Sequence, residues 1–568
     1  MNNISRKKMI IIVLTIAFVQ FLAVILEFCL LKDDFLGDEI YSYATSNSDQ
    51  TMNPILDDDG TLHIDEWLTP EQVYRSIVVS KDDLFSYGNI NRILESDAHP
   101  PLYFYLLHFF SSFFIGEFSW IPAIIINSLS ILVGQIFFYR LFLLISKSRF
   151  HSLLGMIFFG FSSAVINMMT FARNYTLMTA LTLIYTFYIF RSVYQRSMGE
   201  NTTKSVVLAA VFLYLASLTQ YLSVVFGFCI TLLICIRYLI KKDFKVMLKT
   251  GLFMTGGIAL MILSFHYVLH QLTSDQTAMD NATAFPFSFE IRIAIHILFN
   301  ELFGINTNVY PSMATFWIFW GIVGIAILCL ICGFLFRTDE WFKSILVRLK
   351  EMGKSIIKRL NSPQSFLYFL LLITTIILVM IISYQFKMYF YYPYSDRYLF
   401  ILYPYVAMIV LIPIFKIIRI KYLNIVAIIC LITLSLIIGK KPYFGFSEMS
   451  IKNVSETLAG SDVVIFVPNH HTAIKSTLYL KDCDKIFYTT EEYFYDNIEY
   501  FIQGLSKDKP LYMLYYWPTY NNADTNSKLL ILLKDLENAS ITTLNDNRKN
   551  YGAKPIAGIN GHALFRLR

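Results

Sequence analysis

Charge is what this sequence has least of: Asp, Glu, Lys and Arg make up 15% of its residues, against about a quarter in soluble domains. With 56% hydrophobic and 16% aromatic residues beside it, that scarcity excludes both an ordinary soluble globule and a disordered chain. Cysteine is thin outside the apolar runs. Cys29, Cys229, Cys235, Cys329, Cys332 and Cys430 lie within them, and Cys483 stands alone in the C-terminal tail, so the tail has no pair for a structural disulfide. No internal repeat or low-complexity tract is evident, which argues against an inverted-repeat transporter. A cleavage site is missing too. The first apolar run follows Arg6-Lys7-Lys8 as a signal peptide would, yet Glu27-Phe28-Cys29-Leu30 offers no small residues, so the run is expected to stay as a span.

What is present is a series of apolar runs of about 15 to 25 residues between Met9 and Lys441, followed by ordinary hydropathy. This predicts a polytopic α-helical protein of the cell membrane with a soluble C-terminal domain. The segment 100–114 decides the span count. If "PPLYFYLLHFFSSFF" crossed, Arg140, Lys147 and Arg149 would face outward and every later basic loop would invert with them. If it lies at the membrane surface, all basic loops face inward, as the positive-inside rule asks. Those loops hold Arg191 and Arg196, then Arg237 to Lys245, the stretch 337–359, and Lys416 to Lys421.

The second reading gives about eleven transmembrane helices, near 9–31, 120–139, 152–172, 175–194, 205–219, 221–239, 251–270, 314–336, 366–386, 398–415 and 422–439. An odd count puts the tail outside. The expected domains are therefore 1–441 in the membrane, with 32–100 as a first outer loop carrying surface-lying helices, and 442–568 as an extracytoplasmic α/β domain. The net charge of +6 comes mainly from the inner loops; it reports topology and gives no reason to expect a nucleic-acid partner.

In the tail, "DVVIFVP", "KIFYTT", "PLYMLYYW", "ITTLND" and "HALFRLR" read as strands, with helices at "HHTAIKSTLYLK", "EEYFYDNIEYFIQGLSK" and "SKLLILLKDLENA" between them. No glycine-rich loop follows the first strand, so a nucleotide site is not expected there.

The unusual polar clusters gather on the outer side. Asp38-Glu39 follows the first span at once, although carboxylates past a span end are often only a solvated loop. His99 precedes Pro100, which keeps it extended, while Pro101 suits a first helical turn. That holds Asp97 and His99 at the mouth of a short helix, one whose bland role is to dip into the lipid interface. Arg173 and Tyr175 in "TFARNYTLM" sit at an outer junction of two spans, where an arginine runs against the charge bias and needs an anionic ligand or a lipid headgroup. Arg397 and Tyr398 in "YSDRYLF" repeat the pattern, with Asp396 as a local alternative partner. Gln220-Tyr221 is a weaker signal, since such turns usually only connect. In "ILDDDGTLHIDE" (55–66) the carboxylate spacing resembles a calcium loop, but Ile55 occupies the first ligand position.

An outer loop opening with Asp-Glu, then His99-Pro100-Pro101-Leu102-Tyr103, an outer Arg-x-Tyr and a late Arg-Tyr together resemble the GT-C membrane glycosyltransferases. By this likeness the chain resembles the polyprenyl/dolichyl-phosphate-mannose protein mannosyltransferases and the lipid A aminoarabinose transferase. The resemblance covers about residues 1–440. It implies transfer of a sugar from a polyprenyl-phosphate donor to an extracytoplasmic acceptor, with Asp38 as catalytic base and Glu39 orienting it or the acceptor. It further implies Arg173 and Arg397 as phosphate ligands, with His99, Tyr175, Gln220, Tyr221 and Tyr398 as substrate-binding neighbours. Many relatives carry a histidine where Gln220 stands, and the tail resembles no known acceptor domain. No cofactor is required, and no ligand cluster calls for a divalent metal. A lipid-linked oligosaccharide ligase, polymerase or flippase is the competing reading.

Overall fold

Long apolar runs become helices in a membrane because only a helix satisfies its own backbone N–H and C=O groups where water is absent. The computed structural model describes residues 5–48, 66–95, 97, 99–274, 287–305, 362–385, 395–418, 420–438, 450–467, 470–490, 494, 498–506, 508–516, 557–559 and 562–566. Among them, eight helices are long and apolar enough to cross a membrane: Lys7–Leu31, Ile121–Ser146, Tyr175–Ser197, Leu222–Ile240, Phe244–Ser264, Pro363–Tyr384, Asp396–Ile417 and Lys421–Ile438. Each answers one of the eleven expected segments. The ninth, 152–172, is a pair of helices, Arg149–Gly160 and Ser163–Thr170, bent by 54°. The tenth, 205–219, is the 15-residue helix Thr203–Ser217, about 22 Å long and short for a bilayer. The eleventh, 314–336, and the basic stretch 337–359 lie outside the described residues. One boundary moves: the span expected at 251–270 runs Phe244–Ser264, and Lys249 in its second turn donates to Thr202 Oγ1 at 2.7 Å.

The chain divides into two compact units. The first comprises 1–22, 129–169 and 174–441 and contains most of the spans. Its bent helix pair breaks where side chains intrude. A Cβ on Gly160 would stand 1.6 Å from the Gln20 amide nitrogen, so a side chain there would have to push the Gln20 amide aside. Past the break, Ser435 Oγ accepts the Ser163 N–H at 2.9 Å and donates to the Glu301 carbonyl at 2.8 Å, which satisfies a helix-start donor.

The second unit comprises 23–128, 170–173 and 442–568. Its tail strands are β2 (Asp462–Phe466), β3 (Lys485–Thr489), β4 (Leu511–Tyr516), β5 (Ala557–Ile559) and β6 (His562–Arg566), and a two-residue strand from the segment after the first span, β1 (Trp67–Leu68), joins them. The sheet order is β1-β3-β2-β4-β6-β5. β2 pairs in parallel with β3 and β4, Val464 standing between Phe487 and Met513, while the outer pairs are antiparallel. Continuous apolar strands suit a sheet covered on both faces, and β2 is buried at every position. Val463, Ile465, Ile486, Tyr488 and Leu514 form its core with Val454, Leu458 and Tyr479. The helix expected at "HHTAIKSTLYLK" is a single turn, His470–Ala473, continued as the 3₁₀ helix Ile474–Tyr479. The segments "ITTLND" and "SKLLILLKDLENA" lie outside the described residues, as does the calcium-like loop up to Asp65.

Candidate active site

The helix Gly37–Asn47 starts with Asp38 and Glu39 in its first turn, where the positive end of the helix dipole favours carboxylates. Successive helical residues point about 100° apart, so adjacent acids meet different surroundings. Glu39 turns inward and is fully buried, while Asp38 is half-buried.

The Glu39 carboxylate takes the Lys32 ammonium at 2.8 and 3.1 Å, the Leu36 N–H at 2.8 Å and the Ala172 N–H at 2.6 Å. Both oxygens accept and neither has a free place for a proton, which is the arrangement of an ionised carboxylate. Burial nonetheless pushes the Glu39 carboxyl up and the Lys32 ammonium down, each opposed by the other's charge. The bond to Ala172 fastens the junction 170–173 to the segment that follows the first span.

Arg173, next along that junction, is 5% exposed. One terminal nitrogen donates to the Asp38 carbonyl at 3.0 Å and to Ser42 Oγ at 2.9 Å; the other meets His99 Nε2 at 3.1 Å. An arginine can only donate, so Nε2 accepts and the imidazole proton sits on Nδ1, 3.0 Å from Asp97. Arg173 Nε is buried with no hydrogen-bond partner. Asp38, Ser42, Arg173, His99 and Asp97, drawn from three distant stretches, thus form one connected group. Their local geometry follows the chain. Pro100 holds His99 before the helix Leu102–Ser111, and Ser42 lies one turn beyond Asp38, its hydroxyl donating to the Asp38 carbonyl at 3.1 Å.

Tyr41 joins this group without a sequence signal of its own. Its phenol is pushed up chiefly by burial, with the charges of Asp97 and Asp38 adding and that of Arg173 opposing. Other residues that the motifs did not mark are Lys32, Ser42 and Asp34. The buried Asp34 carboxylate accepts the Phe35 N–H at 2.8 Å and the Tyr479 hydroxyl at 2.8 Å, 445 residues away in the chain. Nothing in the local pattern announces a partner at that distance.

The remaining expected residues lie in the first unit. Tyr175 packs edge-on against Phe400 with ring centroids 5.7 Å apart, beside the 3₁₀ helix Ser395–Leu402 that carries Arg397 and Tyr398. Arg397 donates to the Tyr398 hydroxyl at 3.3 Å and its guanidinium lies 5.0 Å from that ring. The Gln220 side chain accepts the Tyr221 N–H at 2.9 Å, and the Tyr221 hydroxyl donates to Gln271. Asn174 donates to the Thr219 carbonyl at 2.8 Å, joining two turns between helices of that unit. Among the described residues, no group of three His, Cys, Asp or Glu side chains is placed to hold a metal.

No family model and no curated protein matches the sequence. Solved structures do. ArnT from Cupriavidus metallidurans bound to undecaprenyl phosphate is similar at 10% identity and a TM-score of 0.38, over 99% of this chain and 99% of that one. Its apo state gives 11% identity and 0.38, over 98% of each chain. The archaeal oligosaccharyltransferase AglB from Archaeoglobus fulgidus, in complex with an inhibitory peptide and a dolichol-phosphate, gives 10% identity and 0.46, over 93% of this chain and 72% of that one. Similarities of this size carry no conclusion about chemistry.

Proposed function

We propose that this chain is a membrane glycosyltransferase that moves a sugar from a polyprenyl-phosphate donor to a hydroxyl acceptor at the outer face of the cell membrane. The observation that carries the reading is the connected group of Ser42, Arg173, His99 and Asp97, tied to the backbone carbonyl of Asp38, whose half-buried carboxylate stands on the same first helical turn. A carboxylate, a buried guanidinium and an oriented imidazole are what such a transfer uses. The acceptor oxygen attacks the anomeric carbon and gives its proton to Asp38. The bond from that carbon to the phosphate oxygen breaks, and its electrons leave as the charge of the free polyprenyl phosphate. One displacement inverts the anomeric centre, and fixed donors stabilise the developing charge better than water does.

Arg173 and Arg397 are the proposed phosphate ligands, and Arg173 also carries a second duty, because it joins the Asp38 helix to His99. Lysine has a point charge in place of the planar fork and cannot serve three acceptors in these directions. Arg173→Lys is therefore expected to lower donor turnover by about ten- to a hundredfold, the scale of one charge-assisted contact, and Arg173→Ala further. Arg397→Lys should raise the donor KM by a similar factor. The check is release of polyprenyl phosphate from labelled lipid-linked sugars by the purified chain in lipid nanodiscs. Wild-type kinetics in Arg397→Lys would return that residue to an interfacial anchor, because a snorkelling lysine replaces an arginine there.

The reading also places the first loop and the tail outside the cell. Lys452 has an 83% exposed side chain, so Lys452→Cys offers a reporter. The native Cys483 is buried, and burial pushes its thiol well above the ordinary range, so it should stay unreactive until the protein is denatured. With the exposed Cys29 at the end of the first span replaced by serine, an impermeant maleimide is expected to label Lys452→Cys in intact cells and to leave the chain without that cysteine untouched. Labelling only after lysis would reverse the orientation.

A further inference from the structure

We propose that the spans Ile121–Ser146 and Tyr175–Ser197 carry, where their C-terminal ends lie side by side, a binding site for an anionic glycerophospholipid, built from Arg140, Arg191 and Lys147. The site is independent of the glycosyltransferase reading. Three contacts show that the two helices are neighbours: a Cβ on Gly134 would meet Ala180 at 3.6 Å, Phe137 packs against Phe187 with centroids 5.5 Å apart, and Lys147 reaches Tyr194. Arg140 and Arg191 each stand six residues before the last residue of their helix, about 9 Å along its axis. The 26 residues of Ile121–Ser146 run about 39 Å, roughly 9 Å more than the hydrocarbon core is thick. Both arginines therefore lie near the core boundary, where a long side chain reaches the lipid headgroups.

The Arg140 guanidinium lies 4.2 Å from the centroid of the Phe187 ring and 5.0 Å from that of Phe137, and its polar neighbours are the Tyr188 hydroxyl and the like charge of Arg191. Lys147 Nζ stands 3.6 Å from the ring centroid of Tyr194, one turn beyond Arg191. Ring faces attract a cation without neutralising it. Among the described residues none of the three cations has a carboxylate partner, whereas Arg196, in the last turn of the same helix, is paired with Asp243 at 2.6 Å. Like charges gathered at the edge of a low-dielectric layer call for an anion.

The surface beneath them selects its source. On Ile121–Ser146 the face that ends in Arg140 runs through Leu129, Val133 and Phe137, spaced by four, four and three residues. Leu129 is 47% and Val133 37% exposed, and beside them Tyr188 stacks on Phe212 with centroids 6.1 Å apart. An apolar stripe leading up to three cations matches an acyl chain below a phosphate head. A soluble phosphate would use the cations and leave the stripe bare. A zwitterionic head brings its own cation, so a headgroup with net negative charge fits best.

The test uses the full chain in phosphatidylcholine nanodiscs with a trace of phosphatidylglycerol that carries a photoactivatable group on one acyl chain, and the labelled peptides are mapped. Labelling of the segment 129–140 is expected to exceed that by a phosphatidylcholine probe of the same chain by about tenfold or more. Replacing Arg140→Gln and Arg191→Gln should lower it by about fivefold for each cation removed, and the matching pair of lysines should restore most of it. Arg196→Gln, whose cation is already matched by Asp243, should leave it unchanged. Equal labelling by the two probes would overturn the proposal, as would wild-type labelling of the double glutamine variant or an equal loss in Arg196→Gln. Displacement of the probe by millimolar inorganic phosphate would overturn it too, by marking a site for soluble anions. Arg191 is exposed, so Arg191→Gln alone decides the matter if Arg140→Gln does not fold.

Discussion

Asp38→Asn is expected to lower sugar transfer by about a hundredfold or more, the scale of a lost general base, while the protein stays folded, inserted and able to bind free polyprenyl phosphate. The structure separates the two properties. Arg173 and Ser42 both hold the Asp38 carbonyl, and the start of the helix is fastened by Glu39, so none of these contacts uses the Asp38 carboxylate. Asparagine keeps the size and the backbone bonds while it removes the negative charge and, with it, the capacity to take a proton. The measurement is the initial rate of polyprenyl phosphate release at saturating donor, alongside the inhibition constant of the free lipid phosphate. A rate within threefold of wild type, about the scatter of such comparisons, would remove Asp38 from the proton transfer; a large loss of lipid phosphate binding would assign it to binding instead.

How far this site could be read in advance depends on how local each cause is. Asp38-Glu39 stands out as two adjacent acids a few residues past the end of the first span, and His99 because a following proline fixes its backbone. Both signals need only neighbours in sequence. The division of labour between the two acids was not legible, since it depends on Lys32 and on the Ala172 N–H, which reaches Glu39 across 133 residues. The tail shows the same split. Its strands Asp462–Phe466, Lys485–Thr489 and Leu511–Tyr516 announce themselves as continuous apolar runs, but a two-residue strand such as Trp67–Leu68 has no period to detect. Its pairing with Phe487 and Ile486 appears only once the sheet exists. The span count follows the same logic: hydropathy marks apolar stretches well, yet it does not foresee that Gln20 stands against Gly160, where the ninth of them bends.

The buried pair of Lys32 and Glu39 should show the largest effect on stability. Both side chains are fully buried, 2.8 Å apart, and the carboxylate also holds Leu36 and Ala172. Removing one partner of such a pair leaves a charge with neither water nor a counter-ion, which costs about 3–5 kcal/mol. Glu39→Gln is expected to be the more damaging single change. It removes the largest counter-charge of the ammonium and loosens the Ala172 N–H, and with it the residue next to Arg173. Lys32→Met should be milder, because two backbone N–H groups still face the carboxylate. Replacing a buried pair together by groups of similar volume is often close to neutral. The double variant Lys32→Met with Glu39→Gln should therefore recover much of the loss seen in Glu39→Gln, which additivity would not allow. Thermal unfolding of the detergent-purified variants measures this directly. A Glu39→Gln protein as stable as wild type would show that the pair does not anchor the junction, and Arg173 would then have to be held by Asp38, Ser42 and His99 alone.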